Sequence, residues 1–409
     1  MKLLLTFLGT GSYQPCHYHF DGDPSQEEVV FFSTALARNL SPDKIISLQT
    51  KGAETKHGAA LAAALPGLAC KHQPVSIPDG QSEAELWQIF AALTEHIPEG
   101  CTLHLDITHG FRSLPVLGFI ALSYLRVTRK VTIGGIHYGA WEARDPQSNL
   151  APVFDLTPFL ALLDWTVAAD QFLATGSAAR LGGLLSQIQR SMWSNPGDKE
   201  KSDLPRKLIN LGTSLDESSA SLLLLRTGAF SQNSRRLEKR MEEARAEADA
   251  HTPPFLEVLT PVREHLLRFG NTDLATLRDL VGWLAERGQT AAALTLASEW
   301  LTSYAMVWCG DPDHHAGHAR RQPYSSALRL LEPNADEQKS TPIAIATVAR
   351  LRENLPAGIL TVLPALSSTI RNARNDLNHA GFNDTPTDAA SLTRRAQEVA
   401  ASLARLPLP

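Results

Sequence analysis

The sequence predicts a two-part protein, an α/β unit with a mostly parallel sheet followed by an all-helical unit. Three observations carry that expectation. Strand-like and helix-like segments alternate over residues 1–155. Long helical segments replace them over 156–409. At 409 residues, 43% hydrophobic and 20% charged, the chain is long enough for two or three domains with substantial cores.

Leu3 to Leu8, Lys44 to Leu48, Leu103 to Ile107 and Val131 to Tyr138 read as strands. Glu28 to Asn39, Lys56 to Leu65, Ser82 to His96 and Ser113 to Val127 have helical composition between them. Ligands of an open parallel sheet bind in the crevice outside the carboxyl ends of its strands. The loops expected there are rich in glycine and hydroxyls: Gly9-Thr-Gly-Ser-Tyr13, Gln49-Thr-Lys-Gly52, Thr108-His-Gly-Phe-Arg112 and Tyr138-Gly-Ala-Trp141. Such loops let backbone amides approach phosphate or ribose, with Lys51 and Arg112 to offset charge. Gln14 stands where a dinucleotide fingerprint has its third glycine, which argues against a dehydrogenase.

In the second part, Phe159 to Leu173 keeps Trp165 and Phe172 near one face. Residues 195–202 form a polar, turn-rich interruption. Leu237 to Ala250 is dense in Glu, Arg and Ala and reads as a solvated helix extending from the core, ended by Pro253-Pro254. Leu274 to Arg287 and Thr290 to Trp308 read as two packed helices joined at Gly288. Near the C-terminus, Leu366, Ile370, Ala373 and Leu377 form one apolar stripe at helical spacing. Arg371, Asn375 and His379 lie along another face, flanked by Arg374 and Asn378. Three asparagines inside a helix cost stability relative to Lys, Glu or Gln, so a merely solvated face is a poor account of them.

The net charge of −5 excludes a broadly basic nucleic-acid coat and leaves a local cleft as the place for RNA. Four scattered cysteines without a Cys-x-x-Cys pair suit reduced thiols in a cytoplasmic protein. The apolar opening Met1 to Leu8 stops at Gly9 without a cleavage site, which favours a first buried strand over a signal peptide, and no membrane partner is expected. Asp311-Pro-Asp-His-His-Ala-Gly-His318 has metal-ligand residue types but no partner cluster, so no metal site is assigned. Glu299 is expected to pack or form an ion pair instead of reacting.

Two motifs carry family resemblances. Arg374-Asn375-x-x-x-His379 resembles the Arg-x4-His pattern of HEPN ribonucleases. Leu105-Asp-Ile-Thr-His-Gly-Phe-Arg-Ser-Leu-Pro115, with the Leu8-Gly-Thr-Gly-Ser12 turn, resembles the strand-end motif of CARF domains, the Rossmann-like sensors of type III CRISPR ancillary proteins. The resemblance implies a homodimer, or a higher assembly, whose sensor pocket binds a cyclic oligoadenylate activator, the tetramer ring favoured over the hexamer. Carried onto this sequence, the pocket uses Gly9, Thr10, Gly11, Ser12, Lys51, Thr108, His109, Gly110, Arg112 and Tyr138.

The implied activity is endoribonucleolytic cleavage of single-stranded RNA in antiviral defence, with no cofactor. RNA supplies its own 2′-OH nucleophile, so the enzyme must orient it, bind the phosphate and manage protons. His379 suits general acid–base work near neutrality, Arg374 the scissile phosphate, and Asn375 a supporting hydrogen bond. The products would be a 2′,3′-cyclic phosphate and a 5′-OH. Some sensor domains of that family slowly degrade their own messenger, and Thr10, Ser12, Thr108, His109 and Arg112 would be the candidates for such an activity here. The rival reading is a ligand-regulated DNA-binding transcription factor, for which Arg235-Arg-Leu-Glu-Lys-Arg240 is the nearest recognition segment, diluted by Glu238.

Overall fold

The computed structural model describes residues 1–20, 27–65, 70–194, 200–252, 254–311, 313, 315, 317–332, 335, 341–382 and 384–409. It divides into Met1–Ala161 and Leu162–Pro409.

The first unit is built on a seven-stranded sheet in the order β2-β7-β6-β5-β1-β3-β4. Its strands are β1 (Lys2–Leu8), β2 (His17–His19), β3 (Lys44–Gln49), β4 (Lys71–Ser76), β5 (Thr102–Asp106), β6 (Thr132–Gly139) and β7 (Leu150–Asp155). β1, β3, β4, β5 and β6 run parallel, and β7 is antiparallel to β6. The helices are α1 (Phe32–Leu40), α2 (Lys51–Ala53), α3 (Ala59–Ala64), α4 (Glu83–Glu95) and α5 (Ser113–Thr128), with a π-helical turn Glu54–Gly58 joining α2 to α3. The central strands are apolar on both sides because both faces are covered. Leu3, Leu5 and Phe7 enter one core with Leu103, Leu105 and Leu122, while Leu4 and Leu8 enter another with Phe32 and Leu36. β2, β4 and β7 were not anticipated; they lie at or beside the sheet's edges, where polar residues and Pro74 or Pro152 are tolerated.

Helix α6 (Thr157–Thr175) carries the chain onward, and Trp165 and Phe172 are both buried. The second unit continues with α7 (Ala179–Ser194), α8 (Leu208–Leu223), α9 (Thr227–His251), α10 (Phe255–Arg268), α11 (Leu274–Glu286), α12 (Thr290–Trp308), α13 (His318–Leu330), α14 (Pro342–Asn354), α15 (Ala357–Asn378) and α16 (Ala389–Ala404). α9 corrects the expectation of a helix extending from the core. Phe230, Leu237, Ala244 and Ala248 bury one side of it against its neighbours, and small alanines let the backbone come close without raising the segment's hydropathy. The α11 to α12 joint falls at Gly288, whose φ of +68° suits glycine. Residues 195–199 and Pro253, named above as loop and helix stop, lie outside the described residues.

On α15, Leu366, Ile370 and Ala373 are buried and Leu377 half-buried, as the stripe requires. Among the described residues no helix is long and apolar enough to cross a membrane.

Candidate functional site

Two clefts, one in each unit, hold some of the residues singled out by sequence. The first is a cleft of about 350 Å³ at the carboxyl ends of β1, β3 and β5, lined by Gly9, Thr10, Gly11, Tyr13, Thr50, Asp79, Thr108, His109, Gly110 and Phe111. Beneath the Thr108 loop, Asp106, fully buried at the end of β5, accepts from Thr6 Oγ1 at 2.7 Å and from the Thr108 N–H at 2.8 Å. Burial pushes its carboxyl up to about 6, against those hydrogen bonds. Thr108 Oγ1 in turn accepts from the Gly139 N–H at 2.8 Å, tying the β5 loop to the end of β6.

Glycine is required where the two loops meet. A Cβ on Gly9 would stand 3.1 Å from the Gly110 nitrogen, and one on Gly110, at φ +118°, 2.8 Å from Leu114 Cδ1. The wall beside them is aromatic. The Tyr13 hydroxyl accepts from the Gly9 N–H at 2.8 Å while its ring packs on His57 and His109 at 4.6 and 4.4 Å. His109 Nε2 accepts from the Phe32 N–H, which assigns the proton to Nδ1, and burial depresses the imidazole to about 4, so it is neutral near pH 7. His57 Nε2 and Lys56 Nζ hold the Gly11 and Thr10 carbonyls at 2.7 and 2.8 Å.

The structure thus brings together Gly9, Thr10, Gly11, Thr108, His109 and Gly110. Ser12 lines an adjoining recess of about 140 Å³ with Tyr13, His109 and Glu142. Lys51 and Arg112 are exposed outside both, and the Tyr138 hydroxyl donates to Glu142 at 2.7 Å. Sequence reasoning missed His57 and Lys56, because their tie to the Gly9 loop depends on β1 and β3 being neighbours.

The second cleft, about 370 Å³, lies between α12, α13 and α15. Arg374 turns into it and donates through Nη1 to Ser298 Oγ at 3.0 Å. Arg371 also lines it and is ion-paired with Glu332, whose other oxygen accepts from Ser367 Oγ at 3.1 Å. Glu299 is in an ion pair with Arg321 at 2.9 Å, as anticipated. Asn375 and His379 are exposed, His379 forming the cap of α15 with its N–H on the Asn375 carbonyl at 2.9 Å. Arg374 is therefore anchored while Asn375 and His379 face outward at the helix end. Ser298 and Arg321, supplied by other helices, carried no sequence signal.

In the histidine-rich segment, Asp311 and Asp313 are engaged by Arg320 at 2.6 and 3.1 Å, and His315 by the Thr272 carbonyl at 2.7 Å. Pro312, His314 and Ala316 lie outside the described residues, among which no group of metal ligands occurs. In the basic segment of α9, Arg236 pairs with Glu217, and Lys239 and Arg240 with Glu243, so acids balance it.

The comparisons with known proteins follow this geometry. A family model described as the second domain of CRISPR-associated protein MJ1674 matches residues 161–271. The CRISPR-associated protein MJ1674 of Methanocaldococcus jannaschii is 30% identical over 132 residues, which cover 32% of this chain and 20% of that protein. The chain spans about a fifth of the length of that curated relative. Among solved structures, Enterococcus italicus Csm6 bound to cyclic hexa-2'-fluoro-hexa-dAMP aligns over 98% of this chain and 93% of that one, at 10% identity and a TM-score of 0.40. The middle segment is thus similar to the second domain of a CRISPR-associated protein, in a chain whose mostly parallel sheet unit is followed by a helical one.

Proposed function

We propose that this protein is a metal-independent endoribonuclease of type III CRISPR defence, switched on by a cyclic oligoadenylate. The observation that carries the reading is the end of α15: Arg374 is held from α12 by Ser298, while Asn375 and His379 stand exposed within two turns. An exposed Asn375–His379 helix end beside an anchored Arg374 suits a site completed by a second copy about a two-fold axis. Arg374 would bind the scissile phosphate, and His379 would move the proton of the attacking 2′-OH or of the departing 5′-oxygen, with Asn375 supporting it. The bond from the 2′-oxygen to phosphorus forms as the bond to the 5′-oxygen breaks, leaving a 2′,3′-cyclic phosphate and a 5′-OH.

The sensor cleft supports the activating ligand. Gly9, Gly11 and Gly110 leave room for a backbone phosphate, and Tyr13, His57 and His109 offer ring surface beside it. Cyclic tetra-adenylate is the favoured ring. Ligand would shift a population of dimers toward one with the two α15 ends correctly spaced. The site of action is the cytoplasm, in keeping with four free cysteines. A slow ring-opening activity by Thr10, Ser12, Thr108, His109 and Arg112 would time the response.

The test is cleavage of a fluorescent single-stranded RNA in EDTA, alone and with cyclic tri-, tetra- or hexa-adenylate, by wild type and His379→Ala. Activation by one ring, lost in the variant, is expected. Equal cleavage by the variant, or no cleavage with any ring, would overturn the reading.

A further inference from the structure

The cleft behind α15 is more cationic than the catalytic motif requires. Four guanidiniums line it, those of Arg321, Arg329, Arg371 and Arg374, in a chain whose net charge is −5. Among the described residues, Glu299 pairs with Arg321 and Glu332 with Arg371. Among the described residues, Arg329 and Arg374 have no carboxylate partner. Arg329 is exposed at the cleft mouth, on the last turn of α13, where the helix end itself favours a cation. Ser298, Thr302, Ser325 and Ser367 add hydroxyls, so the lining offers both charge and neutral hydrogen bonds.

Two further observations point to an anionic occupant. The Nε atoms of Arg371 and Arg374 are buried without a partner among the described residues, which leaves both donors for an occupant of the cleft. The volume, about 370 Å³, exceeds what a lone ion needs and falls in the range of small-ligand sites. The cleft also opens beside the reacting end of the helix. Arg374 and His379 are five residues apart, roughly 7 Å along the axis, so a strand crossing His379 can lay a neighbouring phosphate at the mouth.

We propose that this cleft is a phosphodiester subsite, in which Arg329 and Arg371 seat a backbone phosphate flanking the scissile one and so fix the register of a single strand against Arg374. The inference rests on the ribonuclease reading for its substrate, and it adds positioning residues from α13 that the Arg-x4-His pattern does not contain. A guanidinium fork on a phosphate gives geometry as well as charge. The effect belongs in strand binding and its salt dependence, not in the chemistry at His379.

The test uses the full chain and a non-cleavable, fully 2′-deoxy single strand, with fluorescence anisotropy read from 50 to 300 mM salt. Arg329→Ala should weaken binding about fivefold and reduce the salt slope by about 0.7, the loss of one neutralised phosphate on a single strand. Arg329→Lys should restore the slope, since it keeps the charge, and a merely structural arginine would not behave so. Wild-type affinity and slope in Arg329→Ala, or no binding by the wild type, would overturn the subsite. Cleavage of the ribo-strand is scored separately: if the Ala variant loses deoxy-strand binding while the wild type cleaves no RNA with any activator, the subsite stands and the ribonuclease reading falls.

Discussion

Arg374 on α15 is tied to Ser298 on α12 by a 3.0 Å hydrogen bond from Nη1 to Oγ, and this bond aims the only arginine of the Arg-x4-His motif. A serine hydroxyl orients the fork without neutralising it, which a carboxylate would do. Ser298→Ala should therefore lower activated RNA cleavage about tenfold, since misplaced contacts to a reacting group are costly. Its stability should fall by only about 0.5–1.5 kcal/mol, the worth of one ordinary hydrogen bond. Cleavage rates under saturating activator, set beside a urea melt, check it. Unchanged cleavage would mean that Ser298 does not place Arg374.

A second prediction concerns pH and the buried Asp106 at the end of β5. Burial raises the Asp106 carboxyl from 3.8 to about 6, so between those values the folded chain holds a proton that the unfolded chain has released. Stability must then fall as pH rises from about 4 to about 6, by on the order of 2–3 kcal/mol at 1.36 kcal/mol per unit. Above that window the cost is constant. Asp106→Asn keeps the shape, with its oxygen on the Thr108 N–H and its amide facing Thr6 Oγ1, and has no charge to bury. The variant should lose most of this slope and be at least as stable as wild type at pH 8. Urea melts at pH 4.5 and pH 8 decide, and an identical slope in both proteins would show that Asp106 does not set it.

Much of the first unit was legible because its central strands are largely apolar on both faces. β1, β3 and β5 are rich in Leu and Ile, β6 carries Ile133 and Ile136, and the glycine-rich loops fall where those strands end. β4 hid behind Lys71, His72, Gln73 and Pro74, since an edge strand need not be hydrophobic. α9 was misjudged because alanine packing carries little hydropathy. In the site, Arg374, Asn375 and His379 were visible as neighbours on one helix. Ser298, Glu332 and His57 were not, because each meets its partner through tertiary packing across tens of residues.

The glycines of the cleft are separable by substitution. Gly110 has φ +118° and no space for a Cβ, so Gly110→Ala should cost about 1–3 kcal/mol and depress the melting temperature. A Cβ on Gly11 meets nothing within 4 Å, so Gly11→Ala should melt as wild type does. Because that methyl stands at the lining of the cleft, Gly11→Ala should still raise the activator concentration needed for half-maximal cleavage. Thermal melts paired with activator titrations separate the two effects. A Gly11→Ala protein with an unaltered titration would place the ligand elsewhere.

The ion pair of Arg371 with Glu332 makes the last prediction. The Glu332 side chain is 9% exposed and that of Arg371 37%, so the carboxylate is the more deeply buried partner. Removing only the arginine leaves a buried charge with Ser367 Oγ as its remaining donor among the described residues. Breaking a fully buried pair costs about 3–5 kcal/mol; the exposure of Arg371 reduces this to roughly 1–3 kcal/mol through solvent screening. Glu332→Gln in the same chain should recover most of the loss, since the amide needs no counterion. A double-mutant cycle by urea denaturation gives the coupling. If Arg371→Ala alone is neutral, the pair is not a structural tie between α15 and the segment after α13, and Arg371 stands in the cleft solely for what binds there.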